Sequence, residues 1–192
     1  MMVDNAALPL DTLWVGQSAR PVTVSYNDKL ATQADTCSLV RDTKQINITL
    51  RDLDNPAGLD VNDFTFTITD RNAAVDGYNT VDERTTLRYT PYATWNTTDP
   101  INTASVITNP NTNDAQAPGR MAHADFMTSR IIYHSGADAA HNAQLIIYNK
   151  RTQQNVVRID LADFLQRLRS SAERNYTAQE FLDRGYDYRL SL

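Results

Sequence analysis

The feature that most constrains this chain is an alternation of apolar and polar side chains at period two, cleanest at Phe64-Thr65-Phe66-Thr67-Ile68-Thr69. Successive side chains of an extended strand point to opposite faces, so the pattern buries Phe64, Phe66 and Ile68 and turns three threonines outward. The same period recurs at Val22-Thr23-Val24-Ser25-Tyr26 and, within residues 39–53, at Ile46-Asn47-Ile48-Thr49-Leu50. The latter predicts a long central strand that stops at the turn cluster Asp54-Asn55-Pro56-Ala57-Gly58. A short strand follows at residues 86–89. Residues 94–118, rich in Thr, Asn, Asp and Pro, read as a long surface loop. Beyond it, residues 122–133 and 144–148 read as paired strands joined by residues 136–142, and residues 155–159 complete a third.

Composition supports the same fold class. Thr, Asn and Asp supply nearly a third of the chain, and Asp outnumbers Glu by 20 to 3. Threonine suits a pleated surface, while Asn and Asp make turns, a task that only 6 glycines cannot carry alone. The expectation is therefore a mostly β, antiparallel protein. At 192 residues one domain fits, with residues 1–20 as a leading arm ending near Gly16 and residues 21–192 as a single sandwich domain. A net charge of −5 without a basic stripe argues against a nucleic-acid binder. With a mean hydropathy of −0.48, no apolar run is long enough to span a bilayer as a helix. The start, Met1-Met2-Val3-Asp4-Asn5, does not read as a signal peptide. A lone cysteine, Cys37, excludes an internal disulfide, and its strand-like surroundings mark it as inert rather than nucleophilic.

The period changes to 3.6 after residue 160. Asp160 is placed to cap a helix whose Leu161, Phe164, Leu165 and Leu168 form one apolar stripe over about three turns. Thr177-Ala178-Gln179-Glu180 is a capping box that opens a second helix, carrying Phe181 and Leu182 and stopping near Gly185. The last residues return to period two, with Tyr186, Tyr188, Leu190 and Leu192 on one face. Across the chain the expected core comprises Ile46, Ile48, Phe64, Phe66, Ile68, Leu145, Ile147, Phe164 and Leu168.

Candidates for chemistry are thin. His123, Asp125, His134, Asp138 and His141 crowd into nineteen residues, but their spacing is not that of ligands on one helix or turn, and no metal or cofactor is expected. Asp52-Leu53-Asp54-Asn55 and Asp60-Val61-Asn62-Asp63 lack the length and terminal Glu of a calcium loop. Tyr89, Tyr92 and Trp95 offer an aromatic platform for sugar, against the plainer reading that they are half-buried at strand ends. No nucleophile, phosphate-binding or zinc-protease motif is present, so no enzyme is expected. The Asn-x-Thr sequons at Asn47, Asn96 and Asn175 arise by chance in so Thr- and Asn-rich a chain.

The stretch from Val156 to Leu192 is more specific. Ile159-x-Leu161-x-x-Phe164-Leu165, a polar spacer, then Gln179-Glu180-Phe181-Leu182-Asp183-Arg184 and Tyr188 resemble the C-terminal signature of the FimB-like fimbrial anchor subunits of Bacteroidales, the anchoring proteins of type V pili. Leu13-Trp14-x-Gly16 and Phe126-x-x-x-Arg130 match that family in outline. The resemblance implies a transthyretin-like β-sandwich with one or two short C-terminal helices, corresponding to the second of two domains in an outer-membrane lipoprotein at the base of the pilus. The lipid anchor would then belong to a front part that this chain lacks, as it lacks the family's closing hairpin. The implied function is a non-enzymatic fimbrial anchor or assembly subunit that meets other fimbrial subunits by strand-edge or face contacts. The alternative is a surface carbohydrate-binding sandwich.

Two structural expectations accompany the resemblance. Gln179 to Arg184 should dock and cap a short helix rather than form an active site. The strand from Tyr186 to Leu192 should lie at an open edge, as a candidate interaction strand able to drive self-association, unless residues 8–15 fold back over it.

Overall fold

The computed structural model describes residues 8–16, 36–53, 58–98 and 120–192. The expected strand at Val22–Tyr26 and most of the expected loop lie outside these residues. Trp14–Val15 (β1) pairs with Val40–Arg41 (β2) in a small antiparallel ribbon. Two four-stranded sheets follow. The further strands are Lys44–Leu50 (β3), Phe64–Asp70 (β4), Ala74–Val75 (β5), Val81–Asp82 (β6), Leu87–Tyr89 (β7), Ala93–Thr98 (β8), Arg120–Thr128 (β9), Gln144–Asn149 (β10), Gln154–Asp160 (β11) and Asp187–Ser191 (β12). One sheet runs β11-β10-β4-β7, the other β12-β3-β9-β8, and β5–β6 is a separate hairpin.

Packed face to face, the sheets close a β-sandwich whose interior is the apolar phase of each strand. Ile46, Ile48 and Leu50 of β3 face Phe64, Phe66 and Ile68 of β4, with Ala124 and Phe126 of β9, Leu145 and Ile147 of β10 and Leu190 of β12 beside them. The expected phase of β3, β4 and β10 is thus the observed one.

Three expectations are corrected. Residues 120–128 and 144–149 do not pair: β9 lies between β3 and β8, and β10 lies between β4 and β11, in the opposite sheet. Both segments alternate, but period two fixes only which face of a strand is buried, not which neighbour it takes. Residues 94–98 are strand rather than loop, paired with β9 although Trp95 is their one apolar side chain. The sheets are also not wholly antiparallel, because β12 runs parallel to β3. A helical crossover from the opposite sheet makes that possible.

The crossover holds two helices, Leu161–Gln166 (α1) and Ala178–Arg184 (α2). Asp160 caps α1 by accepting from the Asp163 amide at 2.9 Å, as the sequence indicates. The helix nevertheless ends after six residues. Leu168 falls beyond it and is 49% exposed rather than buried, while Phe164 packs half-buried against the core. The capping box of α2 is formed in full, Thr177 accepting from the Glu180 amide and Glu180 from the Thr177 amide. Gly185 follows the last turn of α2, at a place where a Cβ would collide with the Tyr188 ring.

Candidate functional site

The residues Gln179 to Arg184 form a rivet through the sandwich end. Asp183 receives two parallel 2.8 Å hydrogen bonds from Arg130, one from Nε and one from Nη2, a fork-to-fork ion pair with both side chains largely buried. Arg130 also donates to the Asn79 carbonyl, which ties in the β5–β6 hairpin. Gln179 accepts from the Tyr133 amide at 2.9 Å and donates to the Ile131 carbonyl and to Asp183. Phe181 and Leu182 are buried, and the Tyr188 hydroxyl donates to the Leu182 carbonyl. Burial pushes the Tyr188 phenol upward.

Lys44 stands at an inward position of β3 with no exposed surface. Its ammonium donates to the carbonyls of Arg41, Asp183 and Gly185 at 2.8–3.0 Å, and so satisfies the C-terminal end of α2. Burial lowers its pKa to about 8, against the pull of Asp183 and Asp42. Asp42, also buried, is raised by desolvation. Sequence reasoning missed Lys44, although a charge at an apolar-phase position of a strand was the signal. Arg130 was noted without its partner: the middle of the family pattern and its C-terminal motif meet in the Arg130–Asp183 pair.

Above the rivet lies a cleft of about 580 Å³ between the β1–β2 ribbon and α2. Trp14 and Tyr186 wall it with ring centroids 6.3 Å apart, and Leu39 and Val40 add aliphatic surface. The Arg41 guanidinium lies over the Tyr186 ring at 5.3 Å, and that of Arg184 over Tyr176 at 4.3 Å.

The closing strand divides by face. Tyr188 and Leu190 point into the core, Leu192 is half-buried, and Tyr186 is 46% exposed in the cleft. Because Tyr186 and Leu192 exchange backbone bonds with β3, the period of two aims the amides and carbonyls of Asp187, Arg189 and Ser191 outward. Among the described residues no strand pairs there, and β1 pairs with β2 instead. On the same flank β11 is the edge of the other sheet, and an opening of about 310 Å³ lies at one end of the sandwich, where Leu50, Leu59, Phe64, Val157 and Leu192 are joined by Arg51, Asp52 and Asn149.

The sugar platform does not assemble. Tyr89 is fully buried, donates to the Asn72 side chain and accepts from the Ser129 amide, next to an Asp70 whose pKa burial raises to about 7. Trp95 instead stacks on His123 at 5.2 Å on the outer face of β8–β9. The histidines separate as well: His134 pairs with Glu83 and meets His141 edge-on, away from His123. Among the described residues no group of three metal-ligating side chains converges. Asp60 caps a short turn of 3₁₀ helix through the Asn62 amide, and Cys37 is exposed. No helix among the described residues is long and apolar enough to cross a membrane.

Fold and site together define a structural β-sandwich whose most specific residues lock a helical crossover onto the sheets. The chain belongs to the family described as fimbrillin-A associated anchor proteins Mfa1 and Mfa2, whose model matches residues 2–192. Three solved structures share the fold. A candidate adhesin from Bacteroides ovatus has a TM-score of 0.68 at 19% identity, over 97% of this chain and 53% of its own. A candidate adhesin from Bacteroides thetaiotaomicron has a TM-score of 0.63 at 24% identity, over 82% and 48%. The fimbrial anchor protein Mfa2 from Porphyromonas gingivalis has a TM-score of 0.55 at 16% identity, over 96% and 52%. The chain spans about half the length of these proteins. No curated protein gives a significant match.

Proposed function

We propose that the chain is a non-enzymatic unit of a fimbrial anchor or assembly subunit at the bacterial cell surface, which engages neighbouring fimbrial subunits along the flank where β11 and β12 lie open. The observation that carries this reading is the family match over residues 2–192. The flank supplies the chemistry, since β12 carries on its outer side a row of amides and carbonyls that no strand among the described residues pairs, and such an edge accepts an added strand. Residues 21–192 act as one unit, with the leading arm attached through β1. Attachment to the outer membrane as a lipoprotein belongs to the same proposal.

Gln179, Glu180, Phe181, Leu182 and Asp183 then serve the stability of the fold, and the outward edge of β12 serves recognition. The test is saturable binding of fimbriae sheared from the source strain to the immobilised chain, measured for wild type and for Arg189→Pro. Proline removes an outward amide without touching the β3 ladder. Loss of binding with unchanged unfolding supports the reading; equal binding by both proteins moves recognition off this edge.

A further inference from the structure

We propose that the cleft between the β1–β2 ribbon and α2 seats an extended acidic segment of a neighbouring subunit, its carboxylate held by Arg41 and Arg184 and its apolar side chains packed on Trp14 and Tyr186; this rests on the assembly role proposed above. Three large apolar side chains stand side by side at this one place, Trp14 at 49%, Leu39 at 59% and Tyr186 at 46% exposure. Single exposed apolar residues are ordinary, but a contiguous group around a cleft marks a contact surface.

The charges say what kind of partner. Both carboxylates of the cleft are already engaged, Asp183 by Arg130 and Gln179 and Glu180 by the Thr177 amide. Arg41 and Arg184 form no ion pair among the described residues; each guanidinium stands over a tyrosine ring, and Arg41 donates from Nε to the Thr43 hydroxyl at 3.3 Å, which fixes its head group beside the cleft. With Arg130 counted, three guanidinium groups stand against the two carboxylates Glu180 and Asp183, so the cleft carries a net positive charge, a match for a carboxylate that can be bound by two N–H groups at once. Shape favours a polypeptide over an acidic polysaccharide. One wall is four consecutive residues, Ser38 to Arg41, that lead into the strand β2, and the branched side chains of Leu39 and Val40 fit aliphatic side chains better than pyranose rings.

The test is panning of a random linear dodecapeptide library against the whole chain, with soluble alginate as the acidic-polysaccharide probe. Selected peptides should share an Asp or Glu beside an aromatic or aliphatic residue. Their affinity should fall about tenfold or more for Arg184→Glu, Arg41→Glu and Trp14→Ala, and a Lys in place of the peptide's acidic residue should restore binding to Arg184→Glu. Thermal unfolding confirms that the variants are folded. The proposal is overturned if no shared motif emerges, if the charge-reversed variants bind selected peptides as well as wild type, or if alginate binds while peptides do not. Failed selection with fimbrial binding intact removes the cleft assignment alone, whereas successful selection with no fimbrial binding removes the assembly reading instead.

Discussion

Removing the Asp183 carboxylate should destabilise the sandwich, because the pair it forms with Arg130 is built into the fold. The two side chains are 16% and 21% exposed, and two 2.8 Å bonds join them in parallel. At about 4 Å between charge centres and an effective dielectric of about 20, their attraction is worth about 4 kcal/mol before desolvation is subtracted. Charge-assisted bonds of this kind retain about 1.5–3 kcal/mol net. Asp183→Ala should cost more, about 3 kcal/mol, since Arg130 is left partly buried and Gln179 loses an acceptor. Urea unfolding of Asp183→Ala, Arg130→Ala and the double variant closes a cycle whose coupling energy should be about 1.5–3 kcal/mol. A coupling below about 0.5 kcal/mol, the value of an exposed pair, would refute the rivet and release Asp183 to act as a recognition residue of the cleft.

Phe66→Ala, at a side chain 2% exposed between the sheets, should cost about 3–5 kcal/mol in chemical denaturation, and a shift near zero would invert the assigned strand phase. Thr177→Ala removes the cap of α2 and should cost about 1 kcal/mol in the same assay. For Lys44, a folded pKa of about 8 lies below the ordinary 10.5, so the unfolded chain holds a proton that the folded chain lacks between these values. Stability should rise with pH across that window, the burial penalty being complete below pH 8, and the rise should vanish in Lys44→Met. Leu190→Lys should unfold the domain, since Leu190 is 3% exposed in the core; thermal unfolding of it beside Arg189→Pro separates the two faces of β12.

What was legible in the sequence was local. Period two assigned the buried faces of β3, β4 and β10 because that phase is set within one strand. The capping box placed the start of α2, and the alternation from Tyr186 placed the last strand at its observed position. What was not legible depended on partners distant in sequence. The placing of β9 and β10 in opposite sheets is decided by how the two faces stack, and β12 lies parallel to β3 only because α1 and α2 carry the chain across. The candidate cleft was hidden for the same reason. Trp14, Arg41 and Arg184 come from three separate segments, and Tyr186 was grouped with the inward residues although it opens into the cleft. Tyr89 failed as a sugar contact because its ring fills the core beside Asn72 and Ser129, an arrangement that no spacing near Pro91 discloses.

The central claim, that the open β12 edge engages a fimbrial subunit, is tested most directly by photo-crosslinking in the source bacterium with a photoreactive amino acid in place of Arg189. The account predicts a covalent adduct to a fimbrial subunit from position 189, reduced by a proline at the neighbouring outward position, Ser191. Adducts that form only from the outer sheet faces, at Trp95 or Tyr148, or none with any fimbrial subunit, would contradict it.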